Sequence, residues 1–432
     1  MLPVIPYRIG ETPDRLAAIL ARGEMASASV AATVAEILAE IRAGGDAAVA
    51  EHARRFDRAE IAPGEFRVPS AACAASLAAL PEPLAEALRD AADNVRRFHE
   101  HQRRTSWFVP DGDGVILGKR YLPIDAAGLY VPGGTAPLFS TVLMAAIPAK
   151  VAGVPRIAMC TPPRPDGTVE PTTLAAAALV GVDEVWRVGG VQAIGMMAYG
   201  TDSFRPVDKI VGPGNAYVQA AKKAVVGTVG IDMIAGPSEI VVIADATADP
   251  GWVAADLLSQ AEHGSGLEAA VAVVMDRSLA ERIAAEVARQ AAELPRESAV
   301  RAALDRYGAI FLVTDLDAAC ELANRIAPEH VELQTADPWA LVDRIRHAGA
   351  IFLGAAATEA VGDYFAGTNH ILPTGRAARY ASSLGVDDFL TSTSLVAYTG
   401  GRLEKTGPKI VRLAEAEGLQ AHARAVARRL GR

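Results

Sequence analysis

From Gly128 onward, short apolar runs alternate with alanine-rich stretches at helical spacing, and this alternation constrains the fold more than any other feature. The runs are Gly128 to Val131, Arg156 to Cys160, Glu184 to Val188 and Lys209 to Val211. Between them lie helical stretches: Val142 to Val151, Thr172 to Leu179, Val191 to Tyr199 and Asn215 to Val225. Strand–helix alternation implies a parallel sheet joined by right-handed crossovers. A second such block begins at Ile240 to Ala244. It continues through strands at Ala269 to Met275, Ala309 to Val313, Val331 to Leu333 and Ile351 to Gly354. Its helices are Leu279 to Ala292, Leu316 to Ile326 and Trp339 to Arg346.

Two α/β units in tandem are therefore expected, and residues Ser27 to Arg103 read as helices ahead of them. Ala31 to Ile41 and Leu84 to Phe98 carry apolar residues three and four apart. The division expected is an N-terminal extension 1–26, a domain of 27–127 with 239–381, an inserted unit 128–238 and a tail 382–432. The tail reads as two helices, Pro408 to Glu415 and Leu419 to Leu430, separated by Gly418. Two helices cannot bury their own apolar faces, so the tail must pack on the body or on a partner subunit.

Composition agrees with this layout. A chain of 432 residues exceeds one ordinary core. It is 51% hydrophobic but only 5% aromatic, which suits layers packed by small side chains. A net charge of −9 argues against a nucleic-acid surface. Cys73, Cys160 and Cys320 stand isolated in apolar surroundings, as reduced packing residues do. No secretory signal pattern opens the chain, and Val142 to Val154, interrupted by Pro148 and Lys150, is too short to span a bilayer. The expected location is cytoplasmic.

The eight histidines fall into two groups. His52, His99, His101 and His347 sit among charged residues on helix-like segments, where solvated faces explain them. His263, His330, His370 and His422 each lie beside a carboxylate, an amide, a Gly or a Pro, the composition of loops around a site. Asp249 to Gly264 reads as one helix with Asp249 as its cap, Pro250 in its first turn and Gly264 just past its end. Gln260 and His263, three apart, would share a face, either as a ligand pair or as an ordinary solvated helix end. Glu329-His330 follows Pro328 and is either a charge pair at a strand edge or, placed on a turn, an acid–base pair.

Hydride transfer is commonly marked by Gly-x-Gly-x-x-Gly between a strand and a helix, and no such match occurs in a suitable context. Gly189-Gly190-Val191-Gln192 and Gly212-Pro213-Gly214-Asn215-Ala216-Tyr217 do join predicted strands to helices. Their amides could hold phosphate, or they could be plain tight turns.

Taken together, these segments resemble the L-histidinol dehydrogenase family. The resemblance rests on Pro132 to Ser140, Gly212 to Tyr217, Gly230 to Glu239, Ser259 to Gly264, Gly362 to His370 and the ending Glu417 to His422, all in the family's order. It implies two related, incomplete Rossmann-like domains with parallel sheets and small helical N- and C-terminal extensions. It implies NAD contacts at Tyr130, Gln192 and Asn215, with 128–238 as the NAD-binding domain. One Zn2+ per subunit would be held by Gln260, His263, Asp363 and His422. Glu329 and His330 would be the acid–base pair. Ser238, Gln260, His263, His330, Asp363, His370, Glu417 and His422 would bind substrate. Two NAD would be consumed as L-histidinol becomes L-histidinal and then L-histidine. A homodimer is implied, the tail completing the partner's site. Rival readings are a paralogous zinc alcohol dehydrogenase acting on another small diol, such as a sulfonated propanediol, a zinc hydrolase, and a metal-binding protein without catalysis.

Overall fold

The computed structural model describes residues 2–22, 28–133 and 138–431. Within the string Pro132 to Ser140, Gly134, Thr135, Ala136 and Pro137 lie outside the described residues, as does Ser27 at the start of the expected helical region. The chain divides into two compact units. The larger comprises Met1–Gln102 with Asp125–Phe389, and the smaller comprises Arg103–Ile124 with Leu390–Arg432.

The larger unit holds two six-stranded sheets. In the first, the spatial order is Arg67–Val68, Glu184–Trp186, Arg156–Cys160, Ala126–Tyr130, Lys209–Val211 and Gly230–Ile231. All neighbours are parallel except Arg67–Val68, which pairs antiparallel at one edge. The parallel part of this sheet opens at Ala126–Tyr130, builds outward through two neighbours, then returns to the other side of the opening strand. That reversal creates a switch point between Ala126–Tyr130 and Lys209–Val211, where the following turns diverge. The helix Ser140–Ala152 is apolar all round and almost wholly buried, Pro148 included. Gly153 and Gly181 end this helix and Pro171–Val180 in the left-handed conformation that favours glycine.

The second sheet is parallel throughout, in the order Val4–Pro6, Ala309–Leu312, Ala269–Val274, Glu239–Ala244, His330–Gln334 and Ala350–Leu353. Its central strands are buried residue for residue, because helices cover both faces. Leu257, Ile283 and Val300 pack on one face, and Leu16, Phe311 and Leu322 belong to the core on the other. The N-terminal segment is thus part of this sheet: Val4–Pro6 adds an edge strand and Asp14–Ala21 a helix.

The smaller unit is an antiparallel ribbon, Leu390–Tyr398, Val115–Pro123 and Trp107–Pro110, with the helices Gly400–Ala416 and Gln420–Arg429. The expected helix starting at Pro408 begins eight residues earlier, capped by Thr399, and Pro408 lies inside it. The ribbon strands were not anticipated, since their exposed apolar residues show no single inward face.

Four local expectations are corrected. His52 and His99 are buried, not solvated. His52 lies 2.9 Å from Glu40 and stacks on Phe56, while His99 Nδ1 lies 2.8 Å from Gln102 Oε1. The charged neighbours point outward while these two rings fill inward positions. The helix after Asp249 spans Pro250–Ala261, so His263 lies beyond its end. Trp339–Arg344 is 3-10 helix, not the expected α-helix.

Candidate functional site

The carboxyl ends of the first sheet open on a pocket of about 820 Å³. Tyr130 ends the opening strand, Gly190 and Gln192 begin the helix after Glu184–Trp186, and Asn215 caps the helix after Lys209–Val211. Tyr130 Oη accepts a hydrogen bond from Gly190 N at 3.1 Å, tying two of these turns together. The third turn is braced from beneath. Asp232 Oδ2 accepts from Gly212 N, and the fully buried Lys222 Nζ donates to Gly212 O, both at 2.8 Å. Lys222 and Asp232 themselves pair at 2.5 Å. Gly212 has φ +121°, and a Cβ there would lie 2.1 Å from Tyr130 O, so only glycine fits this close approach. Tyr130, Gln192 and Asn215 thus line one pocket, with helix N-termini suited to an anionic ligand.

A different cluster forms at the amino ends of the second sheet. His330 begins its strand, and Ala327, in the left-handed region at φ 49°, turns the chain into it through Pro328. This turn lets Glu329 and His330 approach one another, with Oε2 and Nδ1 4.0 Å apart. His330 Nδ1 lies 3.1 Å from Gln260 Oε1, and Nε2 lies 3.9 Å from Asp363 Oδ1. Gln260 Nε2 lies 3.3 Å from His263 Nδ1. His370 Nδ1 lies 3.1 Å from the Asp363 carbonyl. Ser238 hydrogen-bonds the Glu329 side chain. Gln260, His263, Asp363, Glu329, His330, His370 and Ser238 therefore gather in one place.

The cluster contains acids that sequence spacing did not reveal. Glu359 Oε1 lies 3.8 Å from His330 Nδ1, and Glu332 Oε1 accepts from Glu359 N at 2.8 Å. Glu239 accepts from Glu329 N at 3.0 Å and Gly375 N at 2.9 Å, and pairs with Arg22 of the N-terminal segment. Glu359 opens a short helix and Arg22 ends another, and no motif distinguishes either.

Burial dominates the electrostatics. It pushes Glu329 well above the carboxylate range, assisted by the charge of Glu239. It does the same to Glu359, with Asp363 and Glu329 adding repulsion. Asp363 rises to about 7, again through burial. Burial lowers His330 to about 3 and His370 to about 4, so both rings are neutral at pH 7. Glu329 Oε2 and His330 Nε2 are buried without a hydrogen-bond partner. Among the described residues no Lys or Arg pairs with Glu329, Glu359 or Asp363.

A group that brings positive charge and takes up orphaned nitrogen and oxygen atoms fits these donors. Gln260, His263 and Asp363 offer amide, imidazole and carboxylate, the donor types zinc accepts. Among the described residues no three His, Cys, Asp or Glu side chains are grouped to hold a metal. Of the donors just named, His263 and Asp363 are of that kind, and both belong to the larger unit. His422 and Glu417 belong to the smaller unit, where both are exposed.

The pattern of the family described as histidinol dehydrogenase matches residues 20–430. A histidinol dehydrogenase of Heliobacterium mobile is 51% identical over 403 residues, 93% of this chain and 94% of that protein. One of Syntrophotalea carbinolica is 49% identical and spans 100% of this chain and 99% of that protein. Among solved structures, the histidinol dehydrogenase of Elizabethkingia anophelis superposes with a TM-score of 0.93. It is 37% identical and covers 100% of this chain and 98% of that one.

Proposed function

The chain belongs to the histidinol dehydrogenase family, and from that premise we propose the reaction and the residues that carry it. The protein oxidises L-histidinol through L-histidinal to L-histidine with two NAD as hydride acceptors, closing histidine biosynthesis. Sulfonated-diol oxidation, hydrolysis and metal storage are not favoured beside relatives of this identity that all bear the histidinol dehydrogenase name.

The single observation that carries the assignment of roles is the buried Glu329–His330 pair, with Glu329 Oε2 and His330 Nε2 both unpartnered. Neutral His330 can take the hydroxyl proton as hydride leaves the alcohol carbon. The aldehyde must add water before a second hydride can leave, and Glu329 in its ionised form, a stronger base for its raised pKa, is suited to removing that water's proton. Gln260 holds the His330 ring at Nδ1, leaving Nε2 toward the reacting atoms. Gln260, His263, Asp363 and His422 would hold one Zn2+ per subunit, which when bound would anchor and orient the substrate's nitrogen atoms. Ser238, His370 and Glu417 complete the proposed substrate contacts.

NAD is assigned to the pocket of Tyr130, Gln192 and Asn215, making 128–238 the cofactor domain. Support comes from the switch point and the helix N-termini that face the pocket. The tail 382–432 is proposed to complete a partner's site in a homodimer. The smaller unit supports this by its unburied apolar side chains: Phe108 is 60% exposed, Val396 70% and Leu413 69%. Among the described residues no helix is long and apolar enough to cross a membrane, and a cytoplasmic location is proposed.

Assay of purified protein with L-histidinol and NAD, before and after chelation, tests the reaction; absence of NADH formation in metal-replete protein overturns it. Mixing inactive His263→Asn and His422→Asn chains under subunit exchange tests the shared site. Recovery of activity is expected, and none despite proven exchange refutes sharing.

A further inference from the structure

Dinucleotide folds commonly read the adenosine ribose with a carboxylate at the end of the strand beside the opening one. Here that neighbour, Arg156–Cys160, runs out into Thr161-Pro162-Pro163-Arg164, which carries no carboxylate. The pocket nevertheless contains two, Asp57 and Glu170. Glu170 is paired with Arg164. Asp57 has no Lys or Arg ion pair among the described residues, and its Oδ2 accepts from Gln192 Nε2 at 2.9 Å.

Asp57 reaches the pocket from outside the sheet. It ends the π-helical turn Ala53–Asp57, which follows the helical stretch Ala28–His52, kinked at Gly45. That helix packs on Gly190–Tyr199 and Ala216–Val225, the two helices whose N-termini face the pocket. Arg58 adopts the left-handed conformation at φ 56°, unusual for a residue with a side chain, and its N–H closes on Ala53 O. The chain therefore turns away immediately after Asp57 and leaves its carboxylate on the pocket wall. Burial raises the Asp57 carboxyl to about 6, so at neutral pH it is ionised without a cation beside it.

We propose that Asp57 accepts the 2′-hydroxyl of the adenosine ribose of NAD and excludes NADP by repelling its 2′-phosphate. The inference rests on reading this pocket as the NAD site. Asp57 supplies from the preceding helical region the carboxylate that the neighbouring strand lacks. Arg55, whose guanidinium lies over the Phe56 ring, stands on the same wall and would favour a 2′-phosphate once the Asp57 charge is gone.

The test is a cycle between residue and ligand group, using the full-length, metal-replete protein without histidinol. Affinities for NAD, for its 2′-deoxyadenosine analogue and for NADP are measured by calorimetry in wild type and Asp57→Asn. Losing the 2′-hydroxyl should weaken wild-type binding by roughly ten- to a hundredfold, as loss of a hydrogen bond to a charged group does. Asp57→Asn should respond hardly at all to that loss and should gain affinity for NADP. Asn can still accept from Gln192, so the pocket should keep its shape. Equal losses for the deoxy analogue in both proteins, with an unchanged NAD-to-NADP ratio, overturn the proposal. Asn215→Ala separates the two readings. If it weakens NAD while Asp57→Asn changes nothing, Asp57 alone is misassigned. If neither variant alters NAD affinity, the pocket itself is misread and the proposal falls with it.

Discussion

The two parallel sheets of the larger unit are built alike and used at opposite ends. The first presents its pocket at the carboxyl ends of its strands, where turns lead into helix N-termini. The second gathers its polar cluster at the amino ends, around Glu239 and His330. The first pocket is walled by the turns that follow its strands and by Arg55, Phe56 and Asp57 from the helical region ahead of the sheet. The second draws on side chains brought together from segments as far apart in the chain as Arg22 and Glu239. The helices that start just past the carboxyl ends of parallel strands offer free N–H groups at their N-termini and suit an anionic ligand. The amino end offers no such row, so acid–base chemistry there must be made from side chains that burial has detuned.

If the two ends work independently, perturbing one should spare the other. The largest effect is expected from His263→Asn, which should lose zinc and turnover together while NAD affinity and the circular dichroism spectrum stay unchanged. Full metal content with full turnover would remove His263 from the ligand set; a parallel loss of NAD affinity would mean that the ends are coupled.

Next in size is Glu329→Gln, which keeps volume and removes a base. Oxidation of histidinal should slow by roughly 10²–10⁴-fold, with a smaller loss for histidinol. His330→Asn should slow both half-reactions. Single-turnover measurement with each substrate decides, and equal losses for Glu329→Gln would end the division of labour.

A smaller effect, confined to the first sheet, is expected from Gly212→Ala. The added Cβ meets Tyr130 O, and the turn must shift from φ +121°. KM for NAD should rise about tenfold, consistent with strain of order 1–3 kcal/mol, while KM for histidinol stays put. Equal rises in both constants would show that the turn supports the whole unit and not one pocket.

The smallest effect concerns stability. Burial and the neighbouring Asp256 raise Glu332 to about 9, against an ordinary Glu value of about 4.3. The native state therefore holds a proton that the unfolded chain has lost between those values. Stability should fall as pH rises through that window. Glu332→Gln should flatten the decline, raising the melting temperature by a few degrees at pH 8 and little at pH 5. A variant whose melting temperature tracks wild type across both values would show that Glu332 does not hold the proton.

Much of the first sheet was legible because its signals are local. Strands such as Arg156–Cys160 and Lys209–Val211 are short apolar runs bounded by turn residues, and Asn215 announces a cap that its side chain makes. The same holds for Asp249, which accepts from Gly251 N and Trp252 N. The ribbon strands Val115–Pro123 and Leu390–Tyr398 escaped notice because their partner lies far away in sequence and their apolar residues stay exposed. His99 looked solvated because its neighbours are charged, yet a helix has an inside, and Asn369 meets it there at 3.3 Å.

What the sequence determined by itself was periodicity and chemistry: two strand–helix alternations, their turn residues, and the residue types gathered in strings that resemble one family. Those properties reside in spacings of two to four residues, which local backbone geometry dictates. Only the tertiary structure decided at which end of each sheet the pocket or polar cluster forms, that Arg22 meets Glu239, and that Asp57 enters the pocket of the first sheet. It also decided the protonation of the buried groups, because burial moves a pKa only once distant segments have displaced water from around it.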